Sequence, residues 1–115
     1  MKFNVFVNYL GDGGCHLKHD APKVSIALED IFAMFNHGSQ RECALFLKRQ
    51  LRSLSVHDCV RIDEQWYQCR SVGWEPVTEQ FVDELEKKVV MHPMFCLYGA
   101  WHCLQDIMWK EYKRI

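Results

Sequence analysis

Several groups of residues carry enough side-chain chemistry to be weighed as sites. The densest is Cys15-His16-x-x-His19, three soft or borderline ligands within five residues. Such a set could hold zinc with a fourth ligand from elsewhere. The paired spacings of structural zinc sites, Cys-x-x-Cys and His-x3-His, are absent, so a polar loop rich in glycine and histidine is the plainer expectation. His92-x3-Cys96, with His102 and Cys103 beyond it, is a second candidate. There a core cysteine with surface histidines explains the pattern better. No cofactor and no bound metal are therefore expected.

Nucleophilic chemistry would need a thiol beside a base and an orienting third group. His57 and Cys59 can share one face of a strand, but Asp58 would then point away, and no glycine-rich turn supplies oxyanion donors. No catalytic residue is assigned. Paired carboxylates for acid–base work would come from Glu75, Glu79, Asp83 and Glu86, which lie along a helix start and its exposed side. A solvated acidic face accounts for them, and that face could also meet a basic partner.

Of the four tryptophans, Trp66 and Trp74, with the arginines near them, are the residues least explained by folding. Trp, Tyr and Arg dominate protein interfaces. Arg61, Trp66, Arg70 and Trp74, with Glu79 and Asp83 on the acidic face, are the candidate partner-binding residues. A nucleic-acid alternative rests on Lys48, Arg49 and Arg52, joined by Arg61. Trp101 is expected on a helix core stripe, with Trp109 at its edge.

The elements that position these residues follow from periodicity. Lys2–Leu10 reads as a strand, with Phe3, Val5, Val7 and Tyr9 on one face and Asn4, Phe6 and Asn8 on the other. Gly11-Asp12-Gly13-Gly14 breaks it as a loop and lacks the pattern of a phosphate loop. Ser25 is read as the cap of a helix that buries Leu28, Ile31, Phe32 and Phe35. Ser39 and Glu42 spell a capping box for a second helix, Gln40 to about Leu51, with Cys43, Phe46 and Leu47 inward. Cys59–Ile62 and Trp66–Arg70 form a hairpin around Asp63-Glu64-Gln65, and Val72–Val77 adds a third extended piece. Thr78 caps a helix over Glu79–Val90, with Phe81, Leu85 and Val89 as its stripe. A long amphipathic helix runs roughly Met94–Arg114, with Met94, Leu97, Tyr98, Trp101, Leu104, Met108, Tyr112 and Ile115 on one face.

The expected fold class is α+β: a small antiparallel sheet of N-terminal strand, hairpin and third segment, packed on three to four helices. At 115 residues the chain fits a single domain, 1–115. A net charge of −1 lacks the basic excess of a dedicated nucleic-acid binder. No apolar run reaches the length of a membrane span. Asn4 and Asn8 interrupt any signal-peptide core, so a cytoplasmic location and six reduced thiols are expected. The apolar breadth of the last helix leaves room for a homodimer.

One stretch is similar to a known type. Arg52-Ser53-Leu54-Ser55-Val56-His57-Asp58-Cys59-Val60-Arg61-Ile62-Asp63, followed by Trp66-Tyr67-Gln68-Cys69 and Ser71-Val72-Gly73-Trp74-Glu75-Pro76-Val77, resembles the YodL-like domain of small phage and conjugative-element proteins. The upstream Leu28–Asn36 segment resembles that domain's leading helix. The chain departs from the pattern at His57, where glycine is usual, at Cys59, and at Asp63-Glu64, where Asp-Gly is common. The resemblance implies a bacterial host cell and a mobile-element setting. It carries no catalytic residues. The function expected from it is a non-enzymatic accessory protein that binds a host protein or ribonucleoprotein complex, with inhibition of a defence system, in the manner of an anti-CRISPR, as the concrete form. A small nucleic-acid-binding regulator and a metal-dependent enzyme at Cys15, His16 and His19 are the alternatives.

Overall fold

The computed structural model describes residues 1–113, with side chains as far as Glu111. The elements are β1 (Lys2–Asn8), β2 (Gly14–Asp20), α1 (Val24–Met34), α2 (Ala44–Lys48), β3 (Cys59–Ile62), β4 (Gln65–Cys69), β5 (Trp74–Val77), α3 (Glu79–Val90) and α4 (Phe95–Lys113). The strands form one antiparallel sheet in the order β2-β1-β3-β4-β5. The fold is thus α+β with a long last helix, and the sheet has one strand more than the sequence reading provides. That strand is β2, taken above for a loop. Its inward residues are only Cys15, Leu17 and His19, too weak an apolar alternation to signal a strand.

The two faces of the sheet bury separate cores. On one, Phe3, Val5, Val7 and Tyr9 of β1 and Val60 and Ile62 of β3 meet Ala27, Leu28, Ile31 and Phe35 of the α1 region and Phe46 of α2. On the other, Cys59 and Trp66 meet Val82, Leu85 and Val89 of α3 and Ala100, Cys103, Leu104 and Met108 of α4. Each fully buried aliphatic or aromatic side chain here contributes roughly 1.5–3 kcal/mol.

Thr78 caps α3 as expected, its Oγ1 accepting from the Phe81 N–H at 3.0 Å. The buried stripe is Val82, Leu85 and Val89, one position away from the expected Phe81, which is half-buried. At α1, Lys23 occupies the cap position and Ser25 lies inside the first turn, with no side-chain cap. Phe32 is exposed and packs edge-on against Trp74. The second helix is five residues rather than twelve. Gln40, with φ 64°, turns the chain before it, and Gln50, with φ 53°, turns it after. Ser39 Oγ does donate to Glu42 at 3.0 Å, but the pair closes a turn ahead of the helix.

The long helix is broken at Gly99, whose φ of 80° and ψ of 175° are not helical. The break rotates the apolar stripe. Beyond it Ala100, Cys103, Leu104 and Met108 are buried, whereas Leu97, Tyr98, Trp101 and Trp109 are exposed. Trp101 is therefore not a core residue. The expected inward positions Tyr112 and Ile115 lie outside the described side chains.

The segment leading into β3 is held by a buried ion pair. Arg52 Nη1 and Nη2 donate to the two oxygens of Asp58 at 2.7 and 2.9 Å, and the Ser55 N–H adds 2.8 Å. The guanidinium also lies over the Tyr9 ring at 4.7 Å, and the Tyr9 hydroxyl donates to the Arg52 carbonyl. Ser53 Oγ accepts from the His37 N–H, so that serine bonds backbone as expected. Ser55-Val56-His57-Asp58 is a turn closed by Asp58 N–H to Ser55 carbonyl, with φ 82° at His57. A positive φ at the third position alone is the signature of a type II turn. His57 and Asp58 then face the single residue Cys69, a bulge at the mouth of the β3–β4 hairpin.

Candidate recognition surface

Side chains alternate across a strand, and antiparallel register sets them opposite one another. The registers here align His16 with Phe6, Phe6 with Arg61, and Arg61 with Trp66. One row therefore runs across four strands: imidazole, phenyl, guanidinium, indole. His16 and Phe6 stack at 4.4 Å with rings 22° apart, and Phe6 meets Trp66 edge-on at 6.0 Å. The Arg61 guanidinium lies 5.6 Å from the centroids of both Phe6 and Trp66. Among the described residues no carboxylate pairs with it, so the rings hold the charge in place while its N–H donors stay available.

Gly14 makes the stack possible. A Cβ there would fall 2.5 Å from the Val7 carbonyl and 2.7 Å from the Phe6 ring. Only a residue without a side chain lets Phe6 lie across β2 and reach His16.

The neighbouring row toward the helices, with Cys59 and Gln68, is buried. The His16–Trp66 row borders an open groove of about 1000 Å³ that also includes Asn4, Asp63, Glu64 and Glu79. A smaller hollow of about 290 Å³ continues toward β2, where Asn4, His16, Lys18 and Arg61 meet. The groove is thus cationic at its β2 end and acidic near the β3–β4 turn and the start of α3.

Of the expected partner-binding residues, the fold brings Arg61, Trp66 and Glu79 together here. Arg70 and Trp74 lie elsewhere. Arg70 pairs with Glu75 at 2.7 Å, and Trp74 packs on Phe32 on the α1 face, beside a separate hollow of about 340 Å³. Asp83 is exposed on α3 near Glu86, Lys87 and Met91, away from the groove. The nucleic-acid candidates are largely committed: Arg52 to Asp58, and Arg49 to the Gly14 carbonyl and Cys15 Sγ at 2.8 and 3.0 Å. Lys48 alone of the three is exposed without such a tie.

The cysteine–histidine candidates disperse. In β2, Cys15 and His19 face α1 while His16 faces the groove; His19 bonds Asp30 at 2.9 Å. Among the described residues no cluster of three His, Cys, Asp or Glu is placed to hold a metal ion. His92 bonds Asp106 at 2.9 Å and accepts from the Met94 N–H. Cys96 is exposed, Cys103 is buried, and His102 rests against Tyr98. Cys59 Sγ points to the His57 carbonyl oxygen at 3.7 Å. Burial pushes the Cys59 thiol well above its ordinary range, and pushes Cys69 up to about 11. Burial, with the Arg70 charge nearby, pulls His57 down. A buried protonated thiol is a poor nucleophile.

Sequence reasoning missed Asn4, Phe6, Lys18 and Glu64, and weighed His16 only as a zinc-ligand candidate set below a polar loop. A signal for Phe6 existed: an aromatic residue set between Asn4 and Asn8 on the polar face of its strand. No protein-family model, curated protein or solved structure matches the chain. Among the described residues no helix is long and apolar enough to cross a membrane.

Proposed function

We propose that this protein is a recognition module that engages a protein partner through the groove around Arg61 and Trp66. The observation that carries this reading is Arg61 itself, a guanidinium that no carboxylate among the described residues pairs with, fixed between two rings in an open groove. Immobilised aromatic and arginine side chains are what protein interfaces use as anchors, because little conformational entropy remains to be lost on binding. The mixed charge of the groove favours a protein over nucleic acid. Asp63, Glu64 and Glu79 would repel a phosphate backbone, and Arg49 and Arg52 are already engaged.

With the YodL-like resemblance, this reading extends to a phage or mobile-element accessory protein, cytoplasmic in a bacterial host, that binds a host protein or ribonucleoprotein complex and inhibits a defence system. The test is affinity capture from bacterial lysate with the wild-type chain and with two charge reversals in the groove, Arg61→Glu and Glu64→Lys. A partner retained by the wild type and lost by both folded variants is expected. A partner set unaffected by either change, or none above background, refutes the reading.

A further inference from the structure

The free edge of β2 lies beside the cationic end of the groove, and its backbone can be assigned group by group. The Tyr9 N–H to Gly13 carbonyl bond and the Ala21 N–H to Met1 carbonyl bond bracket the β1–β2 ladder. Within it Val7 faces Cys15, Val5 faces Leu17, and Phe3 faces His19. Antiparallel ladders alternate, so Cys15, Leu17 and His19 exchange bonds with β1. The N–H and C=O groups of Gly14, His16, Lys18 and Asp20 point the other way. β2 ends the sheet, so no further strand meets them. Arg49 caps the Gly14 carbonyl at 2.8 Å, which leaves His16 to Asp20 as the open length.

We infer that this edge takes up an extended acidic peptide segment of the partner as a sixth strand, hydrogen-bonded to the backbone of His16 and Lys18. The inference rests on the recognition reading above and names the form in which the partner arrives. Strand addition of this kind draws affinity from main-chain bonds and specificity from alternate side chains. Here the alternation is informative. Residues of the added strand on the groove face would stand beside His16 and Lys18, at a hollow that Arg61 also lines and in which no carboxylate takes part. Opposite charges across a strand pair stabilise it and like charges oppose it. Residues on the other face would meet Leu17, which packs against the apolar core. The matching segment therefore alternates apolar residues with acidic ones opposite His16 and Lys18, and carries a basic residue opposite Asp20. A second copy of this chain is a poor occupant. Registers that use most of β2 set Lys18 against the other copy's Lys18 or His16, and the shift that would pair Lys18 with Asp20 leaves only residues 18–20 of each strand in contact.

The test uses the full chain and a capped hexapeptide, Lys-Val-Glu-Val-Glu-Val, which in antiparallel register sets Lys opposite Asp20 and Glu opposite Lys18 and His16, followed by amide hydrogen exchange and chemical shifts. Expected is selective slowing of the His16, Lys18 and Asp20 amides, with little change at Cys15, Leu17 and His19, which β1 already protects. Lys18→Glu should weaken binding about tenfold, because it replaces an attractive cross-strand pair by a repulsive one. Lys18→Pro should abolish it. The Lys18 N–H faces outward, so this edge proline leaves the sheet and the urea midpoint close to wild type. Equal protection by a Val-Lys hexapeptide, or no protection by either at millimolar concentration, overturns the proposal. So does binding of a thymidine oligonucleotide to the His16–Trp66 row in place of the acidic peptide. Should the lysate partner be lost with Arg61→Glu yet survive Lys18→Pro, the groove reading stands and strand addition falls.

Discussion

His57 offers a test of the backbone at the mouth of the hairpin. It holds φ 82° at the third position of the type II turn and is 7% exposed. For a residue with a Cβ that conformation costs roughly 1–2 kcal/mol. Glycine escapes the cost but gives back about 0.5–1 kcal/mol through the extra freedom of its unfolded chain. His57→Gly and His57→Ala both delete the imidazole and its packing, so their difference isolates the backbone. The glycine variant should be the more stable of the two by about 1 kcal/mol, or roughly 4 °C in Tm. At an extended strand position the order would reverse. Urea denaturation followed by tryptophan fluorescence reads this directly, as a shift in midpoint at constant slope. An alanine variant as stable as the glycine variant would refute the turn geometry.

Three further outcomes follow from the structure. Asp58→Ala should cost about 3–5 kcal/mol, because it strands the Arg52 guanidinium in a mostly buried site; pairing Asp58→Leu with Arg52→Met should recover much of the loss. Equilibrium unfolding of the two variants checks both statements. Gly14→Ala should cost roughly 1–3 kcal/mol, since a Cβ collides with backbone as well as with Phe6, and it should separate the Phe6 and His16 rings, seen as lost ring-current shifts. Finally, the His19 hydrogen bond, and then that of Arg41, hold the Asp30 carboxyl below its ordinary range. A depressed folded-state pKa stabilises the protein above the unfolded carboxylate value of about 3.9, and that stabilisation is lost as pH falls through the folded value. Stability should therefore decline below about pH 4, and Asp30→Asn should flatten that part of the acid limb in a pH series of urea midpoints.

The elements that could be read from the residues were those whose local signals agreed with their burial. β1 alternates cleanly, Thr78 caps α3, and Cys59–Cys69 has strand composition on both sides of a short turn. The failures have separate causes. β2 owes its existence to β1: seven residues with one aliphatic side chain become a strand because a well-formed neighbour offers them a ladder. The stripe of α4 was misread because Gly99, a poor helix former that the apolar spacing overrode, takes a positive φ and resets the phase. The site was legible by residue type but not by position. Arg61 and Trp66 belong to one row, yet Trp74 lies on the other face of the sheet, Arg70 is tied to Glu75, and Arg52 is spent on a pair six residues away that charge counting does not reveal.

The strand order also constrains how the chain assembles. Of the described elements β1 is made before the rest, but it is an interior strand, flanked by β2 and β3. Its second neighbour begins at Cys59, some fifty residues later. During synthesis α1 can already cover the Phe3, Val5 and Val7 face, but the inner edge of β1 must stay unpaired until the hairpin of β3 and β4 emerges beside it. Sheets completed by such distant pairings fold slowly, and their unfinished edges are where wrong partners attach. The buried Arg52–Asp58 pair sits immediately ahead of β3. Forming early and locally, it would present β3 in register and shorten the interval during which the first hairpin stands open.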